Sequence, residues 1–129
     1  YERKLSETPL MINGDVHQLQ QCFLNLVFNC IEAMPKGGNL SIRSDLDPSS
    51  GRVKVEIRDT GCGIPEEHLG HIYDPFFTTK EAGQGTGLGL SIVHGIVKAH
   101  QGDIQVDSRP GEGTSFVLSF PQAQEGDLP

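Results

Sequence analysis

Glycine occupies every second position of Gly83-Gln84-Gly85-Thr86-Gly87-Leu88-Gly89, and the chain then runs into the apolar helical pattern Leu90-Ser91-Ile92-Val93. A helix starting there emerges from a loop of nearly bare backbone. Main-chain N–H groups can then approach an anion closely, and the first helical turn adds unpaired donors and the positive end of its dipole. The chemistry offered is phosphate binding. A plain surface loop ahead of a helix has a similar composition. Neither common phosphate fingerprint is present: no Gly-Lys-Ser/Thr closes the run, and no strand leads directly into it.

Further groups of residues offer complementary chemistry. On a helical wheel, Leu19, Phe23, Leu26 and Cys30 form a core stripe, and Gln18, Asn25, Asn29 and Glu32 fall on a narrow polar face beside it. Leu24, Phe28 and Ile31 occupy most of the remaining circumference, so the helix is expected to be buried on two sides with its polar stripe lining something. A neutral amide oxygen suits Mg²⁺, which takes one or two protein oxygens and completes its shell with water and substrate phosphates. A solvated helix face is the alternative.

In the strand carrying Val53, Val55 and Ile57, the period of two continues to Asp59 and puts its carboxylate on the buried side. A buried charge needs a specific partner. Gly61-Cys62-Gly63 lets the backbone turn sharply and leaves space for a flat ligand, and an acceptor-only carboxylate on an apolar wall suits the amino group of adenine. Capping of the turn at the strand end is the other role open to Asp59. In Asp74-Pro75-Phe76-Phe77-Thr78-Thr79-Lys80 the paired phenylalanines must bury themselves, which anchors a mobile segment. Lys80 can then swing to a terminal phosphate or stay in solvent.

These residues sit in one domain. A chain of 129 residues with 36% apolar composition can bury roughly two thirds of its unfolded surface. The net charge of −7 and a pI near 5.1 argue against nucleic acid or an anionic membrane as a general partner, so any phosphate must be held by local groups. Cys22, Cys30 and Cys62 show no Cys-x-x-Cys spacing and read as reduced intracellular thiols. No signal peptide or membrane-length apolar run occurs, so a cytoplasmic domain without direct membrane contact is expected, compatible with a parent anchored in the inner membrane.

Residues 1–5 read as the end of a strand whose beginning is cut off. Asp15, with Gln18 three residues on, caps a helix running to Met34, where Pro35 and Gly37-Gly38 end it. Alternating segments at 40–46 and 53–59 read as paired strands, and a second pair follows at Ile104 to Val106 and Phe116 to Phe120. Pro65-Glu66-Glu67 opens a short helix, a long irregular loop spans about 71–86, and Leu88 to Ala99 is a further helix. Such a long loop inside a compact domain is usually functional. The expectation is a mixed, mostly antiparallel sheet covered on one face by helices. Residues 122–129 form a polar tail or linker.

Asn25-Leu26-Val27-Phe28-Asn29, Asp59-Thr60-Gly61-Cys62-Gly63, the Asp74 to Lys80 segment, Gly85-Thr86-Gly87-Leu88-Gly89-Leu90 and Gly113-Thr114 resemble, in order and spacing, the N, G1, F, G2 and G3 boxes of the catalytic ATP-binding domain of bacterial two-component sensor histidine kinases. The resemblance spans about residues 10–121. It implies the Bergerat fold shared with DNA gyrase, the MutL mismatch-repair proteins and heat-shock chaperones: an α+β two-layer sandwich with about three helices on one face and a long ATP lid. Residues 1–121 would be the ATP-binding catalytic domain.

Carried over by position, Asn29 would ligate Mg²⁺ with Asn25 nearby, and Asp59 would bind the adenine amino group with Thr114 in support. Gly61 and Gly63 would shape the pocket. Phe77, Thr78 and Lys80 belong to the lid, and Gly85, Thr86, Gly87, Leu88 and Gly89 to the phosphate cradle. The implied function is transfer of the ATP γ-phosphoryl group to a histidine on a separate dimerisation domain, with the receiver domain of a response regulator downstream. The ATPases and serine-directed kinases of this superfamily carry a Glu where this chain has Asn25. An amide is no useful proton acceptor, which disfavours activation of water or serine. Three and four positions after Asn29 many members have a basic residue and an aromatic; here these are Glu32 and Ala33, closer to a subgroup ending acidic-Ala-Met. That favours Lys80 over Lys36 as the phosphate-contacting cation. None of His17, His68, His71, His94 or His100 lies in the His-Glu/Asp context of a phosphoacceptor, so the chain would bind ATP without completing the reaction alone. A same-fold ATPase or serine-directed kinase, or a non-catalytic nucleotide-sensing module, are the alternatives.

Overall fold

The computed structural model describes residues 2–4, 14–74 and 89–122. Strand β1 (Glu2–Lys4) is followed by helix α1 (Val16–Glu32), β2 (Leu40–Leu46), β3 (Arg52–Asp59), a 3-10 helix (Glu66–His71), α2 (Gly89–Ala99), β4 (Asp103–Arg109) and β5 (Gly113–Pro121). The strands form one sheet in the order β1-β2-β3-β5-β4. β1 runs parallel to β2, and every other pairing is antiparallel. This is the α+β architecture that the alternating segments and interspersed helical patterns imply.

Register makes the sheet a grid. Ile42, Ile57, Phe116 and Val106 lie abreast across β2, β3, β5 and β4, as do Ser44, Val55, Leu118 and Ile104 in the next row. Opposed residues share a face, so these rows build an apolar floor. Onto it α1 packs Cys22, Leu26 and Cys30, and α2 packs Val93, Ile96 and Val97, all within one core cluster. Leu19 and Phe23, expected in the core stripe, lie at its edge, partly buried.

The other apolar stripe of α1 departs from expectation. Leu24, Phe28 and Ile31 are 54%, 57% and 51% exposed, so α1 is buried on one side rather than two. Sheet and α2 both meet the helix along its Cys22-Leu26-Cys30 side, and no further layer covers the opposite side among the described residues.

Helix limits follow local chemistry. Asp15 Oδ1 accepts from the Gln18 N–H at 3.0 Å, and this bond holds the Asp15 carboxyl below its ordinary value. At the far end Ala33 is the C-cap, so the helix stops two residues short of Met34. The helix pair is tied at one end by His100, which follows α2. Its Nε2 accepts from the Asp15 N–H at 3.0 Å and its Nδ1 lies 2.8 Å from the Ile96 carbonyl oxygen. That pattern requires the neutral ring with its proton on Nδ1. No described helix is long and apolar enough to cross a membrane.

Candidate functional site

At one end of the grid the helix-facing surface turns polar. The period of two carries Asp59, Thr114 and Ser108 onto the face that holds Ile57, Phe116 and Val106, and the three stand abreast as the next row. Asp59 is only 2% exposed and Thr114 5%. The two Asp59 oxygens have different fates. Oδ1 accepts from the Gly61 N–H at 2.8 Å and the Thr114 N–H at 3.3 Å. Oδ2 is buried and has no hydrogen-bond partner among the described residues. Oδ1 therefore caps the turn, and Oδ2 is left as a buried acceptor. A buried acceptor left unmade costs the fold free energy, about 1–3 kcal/mol for a typical group, so its retention needs an explanation outside folding.

The loop after β3 is stitched to both neighbours. The Cys62 N–H donates to the Ala33 carbonyl of α1 at 3.0 Å, and the Gly111 N–H donates to the Cys62 carbonyl at 2.8 Å. Gly61 lies so close to the Ala33 carbonyl that a Cβ would overlap it. Gly63, at φ +75°, sits against the Arg109 carbonyl, and Gly113, at φ +128°, sits against that of Asp59. At both, a left-handed backbone coincides with an approach that leaves no room for a side chain. Asn39 and Thr60 clasp each other beside them: Asn39 N–H donates to the Thr60 hydroxyl at 2.9 Å, and Thr60 N–H to the Asn39 carbonyl at 3.2 Å.

Asn25, Asn29 and Ala33 follow one another at a spacing of four, so they line one edge of α1. Since Ala33 is bonded to the Asp59–Gly63 loop, Asn29 sits one helical turn from that loop and both amides are half-buried. The next residue, Cys30, faces Asp59; burial first, and the Asp59 charge second, keep its thiol protonated far above the ordinary range. Gly89 is the first residue of α2. The structure thus brings Asn29, Asp59, Gly61, Gly63 and Thr114 to one end of the α1–sheet interface, with Asn25 one turn further back along α1. Phe77, Thr78, Lys80, Gly85, Thr86, Gly87 and Leu88 lie outside the described residues.

Two neighbours of Asp59 lie outside the set that the sequence points to. The spacing of α1 gives Cys30 a core position alone, and Ser108 carries no motif, although the alternation Ile104, Val106 brings it onto the core face as Val55 and Ile57 bring Asp59. The Ser108 hydroxyl accepts from the Ile64 N–H at 2.7 Å and lies 2.8 Å from Thr114 Oγ1.

The chain is similar to proteins of known class. Over 113 residues it is 50% identical to "Sporulation kinase A" of Bacillus subtilis (strain 168), covering 88% of this chain and 18% of that protein. It superposes on the nucleotide-free catalytic domain of histidine kinase ThkA with a TM-score of 0.81 at 34% identity, covering 95% of this chain and 80% of that one. For full-length ShkA in complex with AMPPNP the TM-score is 0.81 at 28% identity, covering 95% of this chain and 25% of that one. The chain spans between 12% and 27% of the length of the curated relatives it matches. The family model described as "Histidine kinase-, DNA gyrase B-, and HSP90-like ATPase" matches residues 14–124, and the chain belongs to that family.

Proposed function

We propose that the chain binds Mg-ATP at the polar end of the α1–sheet interface and acts as the catalytic domain of a sensor histidine kinase. Asp59 Oδ2 carries this reading: a buried carboxylate oxygen without a partner, on an apolar wall, is suited to the amino group of adenine. Asn29 would hold Mg²⁺ through its amide oxygen, with Asn25 one turn earlier, and the first turn of α2 at Gly89 would meet phosphate. Bound Mg²⁺ would neutralise charge on the phosphate oxygens. ShkA, of the same fold, was solved with AMPPNP, an ATP analogue, which supports a nucleotide as the ligand.

The reaction proposed is transfer of the γ-phosphoryl group to a histidine of a dimerisation domain, and from there to the receiver domain of a response regulator. The bond from the γ-phosphorus to the β–γ bridging oxygen breaks, a bond to an imidazole nitrogen forms, and ADP leaves. A neutral imidazole has a free nitrogen lone pair near neutral pH and needs no base to attack. Asn25, where the ATPases and serine-directed kinases have Glu, is consistent with that acceptor. Catalysis is then positioning and charge neutralisation, with Lys80 assigned the role of phosphate cation. ATP as substrate and cysteines without disulfides support a cytoplasmic location for the domain.

The test is calorimetric titration of the chain with ATP, with and without Mg²⁺, followed by reconstitution with a dimerisation domain. Saturable, Mg²⁺-dependent binding and acid-labile phosphohistidine are expected. Absence of binding defeats the site assignment. Steady hydrolysis by the chain alone, or acid-stable phosphate on the partner, points to the ATPase or serine-directed chemistry, and binding without any transfer to a nucleotide sensor.

A further inference from the structure

Sheet and α2 cover one side of α1, along Cys22, Leu26 and Cys30, and the opposite side stays open. Leu24, Phe28 and Ile31 stand on it four and three residues apart, which on a helix makes one straight stripe. The large apolar side chains exposed among the described residues are these three. Scattered apolar residues are ordinary on a surface, but three gathered on one helix face mark a place of contact. The borders of the stripe restrict what can lie on it. From Val16 to Ile31 the helix holds no Asp, Glu, Lys or Arg, and Gln20 and Gln21 form an exposed polar rim. A partner with charges beside its own apolar strip would lose their hydration against this face and find no counter-charge. The fitting partner is therefore a helix with an uncharged rim, and a second copy of this chain presents one. Elsewhere the net charge of −7 makes two copies repel, so the charge-free face is where they approach at the lowest electrostatic cost.

We propose that the outer face of α1 is a self-association surface, on which two copies of this chain pack antiparallel about a two-fold axis beside Phe28. Such a contact uses the same patch on both copies and has to be self-complementary. With the axis there, Leu24 of one copy meets Ile31 of the other, and the two Phe28 rings meet each other. Asn25 and Asn29 lie on the helix edge between this stripe and the core, so the nucleotide site stays outside the contact. Three apolar side chains from each copy fall well short of the roughly 20–30 residues a side of a standard interface, so the pairing is weak and depends on concentration. A dimerisation domain of the kind proposed above would hold two copies at about millimolar effective concentration, enough to populate it. The inference itself does not rest on the nucleotide reading.

Sedimentation velocity of the chain without nucleotide, from about 10 µM to about 1 mM, should show a reversible monomer–dimer equilibrium with a dissociation constant of about 0.3 mM. Phe28→Lys sets two like charges at the axis and should raise that constant at least about tenfold. Its melting temperature and Mg-ATP affinity should match the wild type, because Phe28 is exposed and lies off the Asn25–Asn29 edge. Cross-linking checks the geometry in a Cys62→Ser background, which removes the exposed native thiol and leaves Cys22 and Cys30 buried. There Phe28→Cys should oxidise to a disulfide-linked dimer, whereas His17→Cys, whose two positions would stand about 30 Å apart by helix rise, should not. The proposal is overturned if the wild type stays monomeric at about 1 mM, if Phe28→Lys associates as well as the wild type, or if His17→Cys cross-links as readily as Phe28→Cys. A monomeric chain whose stripe instead takes up an added dimerisation domain, with loss in Phe28→Lys, overturns it in favour of that occupant. Should Phe28→Lys not fold, Leu24→Lys makes the same test: weakened association supports the proposal, and unchanged association overturns it.

Discussion

Two aspartates bracket β3, and their surroundings could hardly differ more. Asp47, in the turn leading into the strand, uses everything it has. Its Oδ1 accepts from the Ser49 N–H at 3.0 Å and the Ser49 hydroxyl at 2.8 Å, and its Oδ2 lies 3.3 Å from Lys54 Nζ. Even its main chain is spent on the turn, through bonds with Arg52 at 2.8 Å and Gly51 at 2.7 Å. Asp59, the last residue of the strand, holds its own turn with one oxygen and leaves the other buried and unmatched. The same side chain secures a turn where both oxygens are used, and offers a ligand an acceptor where one is left over.

The sharpest way to break this contrast is Asp59→Asn. The amide keeps an Oδ1 acceptor for Gly61 and Thr114 but turns the second oxygen into a donor, so ATP affinity should fall by about a hundredfold. The melting temperature should hold or rise, since a buried carboxylate oxygen without a partner is removed. Calorimetry and thermal melting of the same sample decide it; parallel losses in both would erase the distinction between the two aspartates. Gly113→Ala should blur it instead. A Cβ there meets the Asp59 carbonyl at a φ of +128°, so a destabilisation of roughly 2–4 kcal/mol is expected in denaturant titrations, accompanied by weaker nucleotide binding.

Asp47→Ala should do the reverse of Asp59→Asn. Melting should drop by a few degrees while ATP affinity stays unchanged. The hydroxyl of Ser49, first among several bonds, holds the Asp47 carboxyl well below the ordinary value of 3.8. A depressed folded-state value means that the contribution is intact at neutral pH and is lost as pH falls below 3.8 toward the folded-state value, so the variant should show a shallower acid limb in its stability profile. The smallest effect concerns the thiols. Cys62 is exposed while Cys22 and Cys30 are buried, so a thiol reagent should label one cysteine at once and the other two only on unfolding. Burial pushes Cys22 from 9.0 up to about 11. A raised value contributes stability below pH 9.0 that fades as pH climbs toward 11, an alkaline slope that Cys22→Ser should flatten.

What could be read from the chain beforehand was whatever depends on local period and local chemistry. The alternation Val53, Val55, Ile57 led correctly to a buried Asp59, and Asp15 could be recognised as a cap because its bond to Gln18 spans three residues. What depends on distant partners could not be read so directly. Ser108 becomes a neighbour of Asp59 only through two strand pairings, and Gly61 meets Ala33 only once α1 lies across the sheet. The exposed stripe of Leu24, Phe28 and Ile31 misled for a related reason. Apolar spacing shows that a face suits burial, without saying that this chain supplies the cover. The withheld Asp59 oxygen is visible only in three dimensions, since any aspartate before Gly-x-Gly can cap the turn.

His100 gives the helix pair a mechanical character. It fastens the start of α1 to the end of α2, and the residues proposed to meet the triphosphate, Asn29 and Gly89, stand at the opposite ends of the same two rods. With the shared core of Cys22, Leu26, Val93 and Val97 between them, the two helices form one unit, and the clasp at Asp15 helps set the span from Asn29 to Gly89 at the other end.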